Sequence, residues 1–242
     1  MWSTDVVVHD SWWPGGAMAA RPLGVPHATQ WIALHLPRPA AMGRFIGARR
    51  RRERRRAAAG YRVATMELPI EIVALRSTPE TIAALAAVLV EAVAGGASVS
   101  FMHPLSPAAA TAFWTASLAA ADAGERVVLG AMAGSVLAGT VTLHLDCPPN
   151  QPHRGEIAKL LTRVRYRRRG VARALMLEAE RIAAGRGRTL LTLDTATDGG
   201  AGPLYERLGY VRAGVIPDFA LKPHGGLCGT IIYWKRIGPP DA

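Results

Sequence analysis

Cysteine is scarce: Cys147 and Cys228 are the two in 242 residues, too few and too far apart for a disulfide framework or a paired-cysteine zinc clasp. The seven histidines show no HxxxH or His/Cys ligand spacing, so no metal is expected. No Gly-Lys-Ser/Thr closes a glycine loop and no GxGxxG occurs, which removes a P-loop and a dinucleotide fingerprint. The start of the chain carries Asp5 and Asp10 and no apolar run longer than 31–36; no secretory signal is visible, and a cytoplasmic location is expected. One charge-free stretch, 127–145, is long enough to suggest a membrane span. Gly130, Gly134 and Gly139 punctuate it and the run from Gly139 alternates at period two, so it reads as a β-hairpin and no membrane partner is expected.

Acidic residues are also few, 18 against 29 Lys and Arg for a net charge of +11, a balance that leans toward phosphates or nucleic acid. The excess is local. Residues 1–65 hold 11 Arg and three acids, Asp5, Asp10 and Glu53, whereas 66–242 hold 18 basic and 15 acidic residues. That first segment lacks sustained periodicity, contains several prolines and Trp2, Trp12, Trp13 and Trp31, and carries arginine runs at 49–52 and 54–56. It reads as a basic extension, disordered or weakly folded; the other reading is that translation starts at Met66. An arginine-rich arm at 49–56 could serve nucleic-acid binding, which is the functional alternative from another class.

Apolar residues make up 50% of the chain, and from Met66 onward they are patterned. A strand at 70–75 precedes Thr78-Pro79-Glu80, which supplies a cap, a first-turn proline and an early acid for a helix ending at Gly95-Gly96. Ser106-Pro107 opens a second helix in the same manner, running toward Gly124. Strands at 127–132, 136–146 and 155–164 follow, then a helix with Val171, Leu175, Ala179 and Ile182 on one face. A strand at 189–195, a short helix at 203–208 and an antiparallel pair at 210–219 and 228–235 complete the domain. The order βααβββαβαββ makes a mixed α/β domain, α+β-like, over residues 66–242.

The unit at 155–186 is the most informative. Arg167-Arg168-Arg169-Gly170-Val171-Ala172 is a basic turn at a helix N-terminus, where unpaired N–H groups and the positive dipole end receive an anion. Gly170 and Ala172 are small enough for close approach to the backbone; a solvated arginine cluster beside an ordinary helix start is the alternative. Arg167-x-x-Gly170-x-Ala172, followed about thirty residues later by Leu204-Tyr205-Glu206-Arg207-Leu208-Gly209-Tyr210, resembles the two hallmarks of the GNAT superfamily of acetyl-CoA-dependent N-acetyltransferases. Gly155-Glu156, Leu193-Asp194-Thr195 and Val215-Ile216-Pro217 resemble in particular its tabtoxin-resistance branch. The likeness covers about 68–236.

The resemblance implies a GNAT fold, a central mostly antiparallel sheet flanked by helices, with acetyl-CoA as co-substrate and a small-molecule primary amine, amino-acid-like or antibiotic-like, as acceptor. A protein or peptide amine is the alternative within the class. An alkyl amine with a pKa near 10.4 is mostly protonated at neutral pH and needs a base; the resemblance assigns this to Glu156 and Asp194, although Lys159 or the arginine cluster could pair with them. It makes Tyr205 the acid that serves the leaving thiolate. It also places the cofactor on Leu161, Thr162 and Val164, and its pyrophosphate over Arg167, Arg168, Arg169, Gly170, Val171, Ala172 and Arg173. Phe101, Met102 and Trp114 lie where the resemblance places the flank of the acceptor cleft, with 217–227 as the opposing wall; such apolar residues belong either to the pocket or to the core. The sequence leaves monomer and homodimer both open.

Overall fold

The computed structural model describes residues 69–238; the basic extension and its arginine runs lie outside the described residues. The elements are β1 (Ile70–Ala74), α1 (Pro79–Ala94), α2 (Pro107–Asp122), β2 (Arg126–Ala133), β3 (Val136–His144), β4 (Arg154–Thr162), α3 (Val171–Gly185), β5 (Leu190–Ala196), α4 (Gly202–Arg207), β6 (Val211–Leu221) and β7 (Leu227–Arg236). Their order is the predicted one. Both early helices start where the sequence places their caps: the Thr78 hydroxyl accepts from the Thr81 N–H at 3.2 Å and the Ser106 hydroxyl from the Ala109 N–H at 3.1 Å, each occupying an N–H that the helix leaves unpaired.

The strands form one sheet in the order β1-β2-β3-β4-β5-β7-β6. Every pairing is antiparallel except β4 with β5. The charge-free stretch 127–145 is the β2–β3 hairpin, and among the described residues no helix is long and apolar enough to cross a membrane. Adjacent residues on a strand face opposite ways, and β2 feeds two cores accordingly. Val128 packs with α1 and α2 among Leu85, Leu89, Trp114 and Leu118, while Leu129 packs with α3 among Val141, Leu143, Leu175 and Leu191. Helices therefore cover both faces of the sheet. Full burial of each such leucine contributes about 1.5–3 kcal/mol.

One close approach fixes how α3 starts against the sheet. A Cβ on Gly139 of β3 would lie 2.6 Å from the Leu161 carbonyl of β4 and 3.0 Å from Val171 Cγ1. Glycine is the residue that lets β3, the end of β4 and the first turn of α3 come together. The predicted stripe on α3 is buried at Val171, Leu175 and Ala179 and partly buried at Ile182. Trp114 resolves the choice between pocket and core: it is fully buried against α1, because its position on the amphipathic α2 falls on the core side.

Candidate active site

β4 and β5 run side by side for three residue pairs only, Arg154 with Leu190, Gly155 with Leu191 and Glu156 with Thr192. Beyond them the strands part. The cause is local to β4, where Lys159 takes a left-handed φ of 50° and the register against β3 slips between Thr140 and Thr142. This is a β-bulge, which bends a strand and ends its pairing. The parted strands open a cleft of about 440 Å³. Residues of β4 from Ile157 to Leu161 line one side, and Asp194, Thr195 and Ala196 of β5 the other. The loop residues Ser100, Phe101 and Met102 form one wall, Phe219, Ala220 and Leu221 of β6 another, and Tyr205 of α4 also faces in.

Glu156 and Asp194 share one face of the sheet, since Glu156 pairs with Thr192 and Asp194 lies two residues further along β5. Glu156 stands just before the first cleft-lining residue of β4. Its Oε2 accepts from Arg154 Nη1 at 3.2 Å, and the same guanidinium donates to Thr192 Oγ1 at 2.9 Å and, through Nε, to Gln151 Oε1 at 2.7 Å. Burial pushes the Glu156 carboxyl above the ordinary carboxylate range; Arg154 pulls it down, and the charges of Asp194 and Asp146 raise it further. Asp194 is exposed to the cleft and accepts from Thr230 Oγ1 at 2.9 Å.

Tyr205 is 5% exposed and packs against the rings of Tyr210 and Tyr233, with centroids at 6.0 and 5.7 Å. Its pKa is pushed up to about 12, first by burial and then by the charge of Asp194 and by Tyr233. The hydroxyl makes no hydrogen bond within the described residues. Lys159 also enters the cleft, its Nζ 3.4 Å from Ser100 Oγ and 5.6 and 6.0 Å from the ring centroids of Phe113 and Phe101.

The basic turn follows from the end of β4. A single 3-10 turn, Val164–Tyr166, leads into Arg167, and Gly170 caps α3 with a left-handed φ of 79°. Arg168 is left-handed as well, at 60°. Left-handed residues next to a helix start turn successive N–H groups outward as a concave anion seat. Gly170 offers no side-chain cap, so the first-turn amides of Val171, Ala172 and Arg173 keep the free donors of any helix N-terminus. Val171 is buried beneath Gly139, so only its backbone is available there. Leu161 is likewise buried among the α1 and α2 side chains, although β4 presents it at the cleft edge.

The structure thus brings Asp194 and Tyr205 together at the cleft, with Glu156 at its closed end and the turn 167–173 beyond the far end of β4. Thr162 and Val164 connect the two, Val164 being 61% exposed. Two contributors were not foreseen. Glu91 of α1 accepts from Arg163 Nε at 2.7 Å and from the Val164 N–H at 3.1 Å, tying the turn to α1. Arg154 is the partner of Glu156, where the sequence offered Lys159 or the arginine cluster as the alternative to a catalytic role. An Arg and a Glu two apart on a strand lie on one face, so this pair carried a readable signal. Glu91 carried none, being one more polar position on a helix.

With that geometry in hand, the comparisons are specific. The model of the Acetyltransferase (GNAT) family matches residues 90–210, from the Glu91 end of α1 through the basic turn to Tyr210. An N-acetyltransferase from Staphylococcus aureus Mu50 has the same fold at 15% identity and a TM-score of 0.60, over 69% of this chain and 98% of that one. A Salmonella typhimurium protein solved with its cofactor acetyl-CoA aligns at 15% identity and a TM-score of 0.62, over 72% and 97%. A ribosomal-protein-alanine N-acetyltransferase from Brucella melitensis aligns at 17% identity and 0.59, over 69% and 99%. These likenesses speak for the fold, and the family match rests on the stretch that builds both the turn and the parted strands. The chain belongs to the acetyltransferase (GNAT) family.

Proposed function

We propose that the chain moves an acetyl group from acetyl-CoA to a small-molecule primary amine by direct attack, the role suggested by its resemblance to the tabtoxin-resistance branch. The observation that carries this reading is the parting of β4 from β5 beside a glycine-capped helix start. The gap leaves both strand edges without partners across it, which suits an extended, amide-bearing arm. The amides of Gly170, Val171, Ala172 and Arg173 suit a pyrophosphate, with Arg167, Arg168 and Arg169 adding attraction that salt screens. Acetyl-CoA, when bound, supplies an activated thioester.

The chain's own groups then have distinct tasks. Asp194 receives the acceptor's ammonium in the cleft. Glu156, whose burial makes it a stronger base than a free carboxylate, takes the first proton, directly or through a water. The nitrogen sheds its second proton after bonding to the acetyl carbon, and that proton ends on the departing sulfur. Tyr205 holds a hydrogen bond to the sulfur as the carbon–sulfur bond breaks.

The test is calorimetric titration of the full chain with acetyl-CoA at low and high salt. One-to-one binding that survives the higher salt is expected, and no binding would refute the reading. Because Glu91 ties the turn to α1, Glu91→Gln is expected to weaken this binding by about three- to tenfold while thermal unfolding moves by only a few degrees, since a half-exposed ion pair adds little stability. Equal affinity in the variant would remove Glu91 from the site.

A further inference from the structure

Of the described residues lining the cleft, Lys159 is the one cation and Asp194 the one carboxylate. Lys159 is not spoken for. Asp194 is held by Thr230 and Glu156 by Arg154, and among the described residues Lys159 makes no ion pair within 4.0 Å. Its ammonium has three donors and, among the described residues, a single hydrogen bond, to Ser100 Oγ at 3.4 Å. The rings of Phe101 and Phe113 take it partly out of water, and a desolvated charge needs a counter-charge. Burial accordingly holds the Lys159 amine below its ordinary range, against the pull of Asp194 and Glu156.

The backbone adds an independent observation. Ser100 and Lys159 both hold left-handed φ values, 69° and 50°, a conformation that non-glycine side chains adopt rarely. They come from a loop and a strand far apart in sequence and meet through their side chains. Residues held in such conformations cluster at active sites, ligand clamps and switch regions.

We propose that Lys159, together with the Ser100 hydroxyl, binds a carboxylate of the acceptor, and that the acceptor is therefore a free amino acid or a close analogue. The inference rests on the acetyltransferase reading above and narrows it. A zwitterion matches the two charges that line the cleft, its ammonium on Asp194 and its carboxylate on Lys159. A peptide or protein amine has a neutral amide where the carboxylate would be, and a polyamine would set a second cation against Lys159. Lys159 is a specificity residue in this account, acting on the substrate but not on the reacting atoms.

The test uses the full chain, acetyl-CoA and thiol release. The acceptors are the proteinogenic L-amino acids, the same residues as α-carboxamides, a dipeptide series and spermidine. Acetylation of one or more free amino acids is expected, with kcat/KM for the matching carboxamide lower by at least about thirtyfold. In Lys159→Met, KM for the amino acid should rise by tenfold or more with kcat changed less and acetyl-CoA affinity held; Lys159→Arg should recover part of it. Retained acetyl-CoA binding also certifies that the variant is folded. Carboxamides, dipeptides or spermidine serving as well as free amino acids would overturn the inference while leaving the acetyltransferase reading in place, as would a Lys159→Met loss confined to kcat. No acetyl-CoA binding in the unaltered chain would remove both.

Discussion

Tyr205→Phe is expected to lower kcat by about a hundredfold, the usual cost of deleting one donor aimed at developing charge, while acetyl-CoA affinity stays within about twofold. The fold should tolerate the change, because the hydroxyl makes no hydrogen bond within the described residues. The hydroxyl faces the cleft, where a bound reactant can partner it. Its chemistry is narrower than that of a full proton donor. A hydroxyl with a pKa of about 12 gives its proton to a thiolate, whose thiol has a pKa of about 8.5, only uphill. In the reaction proposed above, Tyr205 therefore donates a hydrogen bond as charge builds on sulfur. It should contribute no basic limb to the pH–rate profile below about pH 10, and steady-state kinetics with stopped-assay controls at high pH would check this. Equal turnover in the phenylalanine variant would take Tyr205 out of the mechanism.

The second large effect concerns the base. Glu156→Gln should reduce kcat/KM at neutral pH by about a hundredfold or more. The direction with pH follows from the shift. The working form is the carboxylate, burial raises the pKa, and activity is lost as pH falls through that raised value. The acid limb of the unaltered protein should therefore lie above about 4.3, the value of a free glutamate. Arg154→Met provides the control: removing the guanidinium at 3.2 Å takes away the influence that lowers the pKa, so the limb should move to higher pH with the plateau largely kept. A limb that stays in place in both variants would transfer the base role to Asp194.

Much of this molecule was legible before any coordinates. The caps at Thr78 and Ser106, the alternation of β3 and the apolar stripe of α3 each record a local rule, and the order of elements followed from them. The turn at Gly170 was legible for the same reason, because a left-handed cap asks for glycine. The bulge at Lys159 was not. Nothing in Ile157-Ala-Lys-Leu-Leu announces a left-handed residue, since the side chain there is neither glycine nor asparagine, and its neighbours Ser100 and Phe113 are remote in sequence. The parting of β4 from β5, on which the site depends, was hidden with it. Glu91 was hidden because its partners, Arg163 and Val164, are 72 and 73 residues away. Trp114 stayed open between pocket and core because an aromatic beside a cleft and one beneath it look alike in sequence.

The three residue pairs that join β4 to β5 are the ladder between the four-stranded and three-stranded parts of the sheet, extended at one end by the Thr189 and Leu190 N–H groups donating to the His153 carbonyl and across the face by Arg154 donating to Thr192. An apolar core adds to them. Leu143 and Ile157 on one side and Leu191, Leu193 and Tyr233 on the other share a core under α3. The seam is thus a short ladder laid over a shared core, and the cleft begins where that ladder ends.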